Sequence, residues 1–207
     1  MCEVIVYKHS TQGENAMTWI EEIAASNNSF RKRLRKEDLP YERKYCPYAL
    51  ITCMDPRVNP EAAGIKPFGQ TGESYSNIRI IRTIGAVHEV RSLVIGIHLA
   101  GFKEVAVLMH TDCGLFLAFH NAEKILGNMR ASLSEEQLNE VKGLIGELSC
   151  ENLINWLNAF QDPYEAVERE VLSMKKSPFV PESLILHGLV YDLSSGRIDI
   201  VVNGDKC

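Results

Sequence analysis

The chain has 207 residues, 22 Lys and Arg against 27 Asp and Glu, a formal net charge of −5 and 45% hydrophobic residues. That is enough chain for one substantial core, and the acidic balance excludes a general electrostatic grip on nucleic acid. No stretch approaches the roughly 18 consecutive apolar residues of a membrane span, and Met1 to Lys8 lacks the basic head and apolar core of a signal peptide; a soluble, cytoplasmic protein with no membrane or nucleic-acid partner is expected.

Residues 14 to 36 place Met17, Ile20, Ile23, Ala24, Phe30 and Leu34 at mostly helical spacing, with a break or new cap expected at Ser26-Asn27-Asn28-Ser29. The basic run Arg31 to Lys36 reads as a solvated helix end, because Glu37, Asp38 and Glu42 follow at once and no aromatic ladder accompanies it. Pro40 and Pro47 bracket an irregular link into Tyr48 to Thr52, a buried strand. After Arg57, residues Pro60, Gly64, Pro67, Gly69 and Gly72 mark a loop with one short helical turn at Glu61-Ala62-Ala63. Asn77 to Arg82 is a second strand. Thr83-Ile84-Gly85-Ala86 then turns the chain into a helix over Glu89 to Leu99, striped by Val90, Leu93, Val94 and Ile97 and stopped by Gly101.

Val105 to Met109 is the third strand, and the apolar stretch from Gly114 to Phe119 opens a helix directly behind it. Helices follow over Glu135 to Leu148, Leu153 to Phe160 and Tyr164 to Met174, the last with Pro163 at its start. Leu184 to Asp192, a tight turn at Ser194-Ser195-Gly196, and Arg197 to Val202 read as strand, turn and strand. This order predicts an α/β fold: a central, mostly parallel sheet flanked by helices and closed by a C-terminal hairpin. In such sheets the ligand site lies beyond the carboxyl ends of the strands.

Two strands end there in chemistry. Leu50-Ile51-Thr52 runs into Cys53-Met54-Asp55-Pro56-Arg57, and the third strand runs into His110-Thr111-Asp112-Cys113-Gly114. The six cysteines, at positions 2, 46, 53, 113, 150 and 207, show no regular framework; in a reducing compartment, thiols beside a histidine point to metal or catalysis rather than disulfides. Cys46 and Cys150 read as buried thiols.

Thiolate and imidazole are the donors Zn2+ prefers, and a His-x-x-Cys pair on a tight turn can put both side chains on one ion. Cys53, His110 and Cys113 then supply three ligands to one zinc per chain and leave a fourth tetrahedral position, the form of a catalytic site. Asp55 and Arg57 lie two apart, so in an extended segment they point the same way, and the guanidinium can hold the carboxylate bidentately. Asp55 would then be kept off the metal, free to accept a hydrogen bond from zinc-bound water, whose lowered pKa gives a hydroxide nucleophile at ordinary pH. Whether Asp55 itself binds zinc in a resting form stays open. Two thiolates donate more charge than imidazoles, so that water should titrate higher than in an all-histidine site. A structural zinc site would leave Asp55 and Arg57 as an ordinary ion pair, and a metal-free thiol hydrolase would leave one cysteine idle. A non-catalytic zinc or bicarbonate binder is a third alternative.

Cys-x-Asp-x-Arg followed by His-x-x-Cys-Gly resembles the signature of the β-class carbonic anhydrases. The resemblance extends through Ile80-Ile81-Arg82, the helix containing Arg91-Ser92-Leu93, and His187 to Asp192. It implies a single β-carbonic-anhydrase-like domain over 1–207, with an N-terminal helical arm and link over 1–47 and a catalytic core over 48–202. It also implies Cys53, His110 and Cys113 as zinc ligands, and Asp55 with Arg57 as the catalytic pair. A homodimer or homotetramer is implied as well, with N-terminal helices packed on a neighbour and the active site near the interface.

The departures bear on substrate. Members that hydrate carbon dioxide commonly read Arg-Asn-Ala-Gly where this chain has Arg82-Thr83-Ile84-Gly85, and many have Gly-His at Met109-His110. The loop Pro67 to Asn77 is longer than expected. Thr-Cys-Met-Asp with His-Thr-Asp-Cys-Gly resembles a short subgroup that includes minor carbonic anhydrases and the carbonyl sulfide and carbon disulfide hydrolases. All share attack of zinc hydroxide on the central carbon of a small linear substrate.

Sulfur favours an apolar pocket, for which Met54, Ile84, Met109, Leu115 and Phe116 are candidates. The reading leans to carbonyl sulfide hydrolysis to carbon dioxide and hydrogen sulfide, with reversible carbon dioxide hydration as the alternative and carbon disulfide as a further substrate. Backbone amides around Gly85 or Gly114 would assist the developing oxyanion, and Gln70 would donate a hydrogen bond to substrate. His88 reads as a surface histidine, with a proton relay as its alternative; His9, His98, His120 and His187 read as structural or exposed. Trp156 and Phe160 read as core or subunit contact.

Overall fold

The computed structural model describes residues 18–34, 47–65 and 78–206. Gln70 and the loop Pro67 to Asn77, together with Cys2, His9, Cys46 and Cys207, lie outside the described residues. The chain divides into two units, 1–43 and 44–207.

The described part of the first unit is one helix, α1 (Trp19–Arg33). Thr18 and Glu21 form a capping box at its start, and Arg31, Lys32 and Arg33 sit in its last turn, where cations complement the helix dipole. It runs unbroken through Ser26 to Ser29, contrary to the expected interruption. Ser29 Oγ donates back to Ala25 O at 3.1 Å, satisfying the hydroxyl within the helix instead of capping a new one.

The described part of the second unit is built on five strands: β1 (Tyr48–Cys53), β2 (Ile78–Thr83), β3 (Glu104–His110), β4 (Ile185–Tyr191) and β5 (Ile198–Val202). Their order is β2-β1-β3-β4-β5, parallel except for the antiparallel β4–β5 hairpin. β1 and β3 read as near-continuous apolar runs because they lie inside the sheet: Ile51, Val105, Val107 and Leu108 have no exposed surface. Each such side chain contributes on the order of 1.5–3 kcal/mol by burial, which makes these two strands a rigid floor. β1 and β3 are neighbours in register, Thr52 opposite Leu108, so their carboxyl ends emerge side by side.

The helices of this unit are α2 (Val90–Ile95), continued by a π turn to Ala100 and stopped at Gly101 (φ 80°), then α3 (Gly114–His120) and α4 (Ala122–Ser132), with α5 (Glu135–Ile145), α6 (Cys150–Leu157) and α7 (Pro163–Lys176) following. α7 packs on β3 and β4 and sends Val167, Val171 and Met174 into the core. Pro163 opens it, with Asp162 Oδ1 accepting the Tyr164 amide at 2.8 Å. The turn foreseen at Glu61 to Ala63 forms, its amides held by Asn59.

α4 is absent from the expected elements; its Ala122 and Leu126 pack with Leu153 of α6 in a small second cluster. α6 begins three residues before the expected start because Ser149 Oγ caps it at Asn152 N, 3.2 Å, and ends early where Asn158 turns left-handed (φ 53°). Among the described residues no helix is long and apolar enough to cross a membrane.

Candidate metal centre

β1 delivers Cys53 at its last residue, β3 delivers His110 at its last residue, and Cys113 follows on the turn into α3. All three are buried, and their ligand atoms lie within 4.8 Å of one another. The two sulfurs are 4.0 Å apart. The Cys113 S–H favours a thiolate at Cys53 and, against its burial and with smaller help from the nearby His110 ring and the main-chain N–H groups of Asp55 and Gly85, draws it down to about 4. That thiolate, together with burial, pushes Cys113 up, although the Leu115 amide favours its ionised form. The pair therefore holds one proton that a bound cation would expel.

His110 carries the free nitrogen donor of this cluster. Its Nδ1 lies 2.8 Å from Thr111 O and donates to it, which fixes the tautomer and leaves Nε2 with a free lone pair. Nε2 is the one buried side-chain nitrogen or oxygen among the described residues with no hydrogen-bond partner. Such a group is costly unless something occupies it. An imidazole nitrogen with a free lone pair beside two thiols is a donor set that fits Zn2+.

Asp55 and Arg57 stand beside it. Arg57 Nε lies 3.0 and 3.2 Å from the two Asp55 oxygens and Nη2 donates to Oδ2 at 2.7 Å. The pairing does not come from strand alternation, as the sequence suggested, because β1 ends at Cys53. The chain instead makes a turn in which Asp55 Oδ1 accepts the Arg57 amide at 2.9 Å and Asp55 O accepts the Val58 amide at 3.1 Å. The Arg57 guanidinium is the main reason the Asp55 carboxyl is held down to about 2.

Two residues without a role in the sequence reading complete this corner. Asp112, left-handed at φ 54°, accepts from Arg57 Nη1 at 2.6 Å on its carboxylate and from Nη2 at 2.8 Å on its carbonyl. Arg82 at the end of β2 donates to Cys53 O at 2.9 Å and Val58 O at 3.0 Å, pinning both ends of the loop that carries Asp55 and Arg57. Asp112 belongs to the His-Thr-Asp-Cys-Gly run; its charge beside two ligands was the available signal.

The expected pocket side chains divide. Met109 and Leu115 are buried core residues, whereas Met54 and Ile84 are exposed and Phe116 is half-buried. Gly85 is buried at φ 57°, and a Cβ there would overlap the Leu115 side chain, so the turn demands glycine on two counts. Gly114 is exposed. His88 is not a surface residue but is half-buried against Glu170. His98 and His120 are exposed, and His187 accepts the Gly204 amide at 3.2 Å. Cys150 is half-buried, its thiol donating to Glu123 at 3.4 Å; Phe160 is core, and Trp156 is largely exposed.

A two-cysteine, one-histidine cluster at the carboxyl ends of adjacent parallel strands, with a carboxylate–guanidinium pair alongside, defines a zinc-enzyme type of site. The family model described as carbonic anhydrase matches residues 48–198, and the chain belongs to the β-carbonic anhydrase family. It is 30% identical over 157 residues to the carbon disulfide hydrolase of Acidianus sp. (strain A1-3), covering 72% of this chain and 74% of that one. It is 29% identical over 157 residues to β-carbonic anhydrase 1 of Mycobacterium tuberculosis (strain ATCC 25618 / H37Rv), covering 74% and 80%. Its fold matches the β-carbonic anhydrase isoform TvaCA1 of Trichomonas vaginalis with a TM-score of 0.70 at 22% identity, over 91% of this chain and all of that one.

Proposed function

We propose that this chain is a zinc-dependent enzyme that adds water to the central carbon of a small linear substrate, with carbonyl sulfide preferred. The observation that carries the reading is the buried, unpartnered His110 Nε2 beside the Cys53 and Cys113 thiols, next to an Asp55 already committed to Arg57. Cys53, His110 and Cys113 would hold the ion. When bound, zinc supplies a Lewis acid that brings the pKa of water toward neutrality.

The rest is the work of the chain itself. Asp55, ionised at any working pH, accepts a hydrogen bond from the attacking water and aims its oxygen at the substrate carbon. Arg57, gripped by Asp55 on one side and Asp112 on the other, keeps the carboxylate from swinging onto the ligands. With carbonyl sulfide the water oxygen first bonds to the central carbon, the C–S bond then breaks, and the two water protons end on the departing sulfur, so that carbon dioxide and hydrogen sulfide leave.

For substrate choice the support is Ile84. Thr83 turns its hydroxyl inward onto Val87 O at 2.6 Å, and Ile84 stands 47% exposed beside Gly85. An apolar surface there suits sulfur, and relatives named as carbon disulfide hydrolases accord with that choice. Carbon dioxide hydration is the second reading, favoured by the similarity to a named β-carbonic anhydrase. We assign the chain to a homodimer or homotetramer, because Ile95 and Leu99 project from the α2 segment largely exposed.

The test compares zinc-loaded protein on carbonyl sulfide, by hydrosulfide release, with carbon dioxide hydration by stopped flow, using Cys53→Ser as the blank. A kcat/KM on carbonyl sulfide equal to or above that on carbon dioxide is the expected result. A preference for carbon dioxide by about 100-fold or more, some 2.7 kcal/mol of transition-state discrimination, makes the chain a carbonic anhydrase instead.

A further inference from the structure

Glu170, on α7, is the one buried carboxylate among the described residues, at 2% exposure. Neither it nor its partners belong to the ligand set or to the Asp55–Arg57 corner. Its Oε1 accepts the His88 main-chain amide at 2.5 Å and lies 2.6 Å from His88 Nδ1, and its Oε2 accepts from Asn158 Nδ2 at 3.1 Å. A carboxylate oxygen of this kind accepts, so the ring nitrogen facing it donates. Burying a carboxylate is costly unless it is fully paired, and this one is paired at both oxygens.

What it grips is the far end of a strained turn. Gly85 and Ala86 are both left-handed, at φ 57° and 60°, and for alanine that region is disfavoured. The near end is fastened by Thr83 Oγ1 donating to Val87 O at 2.6 Å; the far end is fastened by His88 on Glu170. The turn leaves β2 beside the ligand-bearing strand: Thr83 pairs with Cys53, Thr83 O accepts the Met54 amide at 2.8 Å, and Gly85 lies against the Leu115 side chain, two residues past Cys113.

We infer that Glu170 and His88 are positioning residues that clamp the 83–88 turn to the core and thereby hold the backbone that pairs with Cys53 in place. Partners outside the ligand set orient a ligating group and tune its affinity. The inference rests on Cys53 being a metal ligand. It differs from a plain structural ion pair in requiring that a change at α7 be felt at the metal.

The experiment uses the full chain and two substitutions, Glu170→Gln, which keeps shape and an acceptor but loses the charge, and His88→Asn. Amide hydrogen exchange is followed over residues 83–90 in metal-free protein, with the rest of α7 as internal reference. Zinc affinity is measured by competition with a chromophoric chelator, and the cobalt(II)-substituted protein gives the thiolate charge-transfer band. Exchange across the turn is expected to rise about tenfold, zinc to bind roughly 10- to 100-fold more weakly, and the band to shift. Turn exchange, affinity and band all at wild-type values, even with a lowered melting temperature, would overturn the clamp.

Should Glu170→Gln fail to fold, His88→Asn, which retains the main-chain bond to Glu170, is read by the same three quantities. Failure of the wild-type chain to take up zinc would overturn the metal reading and with it the link to Cys53. The exchange data would still decide whether α7 holds the turn.

Discussion

Replacing Cys53 by Ser, or His110 by Ala, is expected to leave the purified chain with less than about a tenth of wild-type zinc and no measurable turnover. Each removes one of three donors. Since loss of an outer partner alone typically costs about 10- to 100-fold in affinity, loss of a ligand should exceed about 1,000-fold. Elemental analysis and chelator competition measure it directly. The wild-type chain should also melt lower in chelator, because a ligand at about 1,000 times its Kd stabilises by roughly 4 kcal/mol, and the variants should be indifferent. A His110→Ala protein that keeps full zinc would show that the lone pair left free on Nε2 does not serve a metal.

Asp55→Asn and Arg57→Ala should behave differently, keeping zinc while losing kcat/KM by about 100- to 1,000-fold, within the range of a positioned proton acceptor. In Asp55→Asn the amide oxygen can still accept a hydrogen bond, but without charge and without the bidentate partner. In Arg57→Ala the carboxylate loses the main cause of its low pKa and rises from about 2 toward the ordinary value near ~3.9. The sign follows from linkage. A carboxylate whose folded pKa is depressed stabilises the fold above its unfolded pKa, and that contribution disappears as pH falls through about 2. Acid unfolding of Arg57→Ala should therefore begin at higher pH than in wild type. Arg57 is half-exposed, so solvent screening keeps the shift small. Loss of zinc in either variant would mean that these residues hold the ligands rather than act on the water.

Much of this was legible because parallel sheets announce themselves. β1 and β3 are apolar on both faces, and at their carboxyl ends the run breaks into Cys53 and His110 with no alternation to obscure the boundary. What stayed hidden depends on contacts distant in sequence or on turn geometry. Strand alternation anticipates the Asp55–Arg57 contact for the wrong local reason, since a turn makes it. α4 carries Ala122, Ile125, Leu126 and Met129 at helical spacing but has no side-chain cap, so its start gives no signal. Ser26 to Ser29 looks like a break in composition, yet the helix absorbs it. Met109 and Leu115 resemble pocket residues by their neighbours in sequence; packing makes them core. Glu170 lies 82 residues from His88 on a helix whose pattern is otherwise ordinary, and nothing local marks it as a partner.

Zinc K-edge absorption spectroscopy on the purified chain bears on the whole reading at once. The account predicts one zinc per chain with two sulfurs at about 2.3 Å, one imidazole nitrogen near 2.0–2.1 Å and one further light atom completing the shell. A shell of four sulfurs, a shell with none, or protein that takes up no stoichiometric zinc would contradict it.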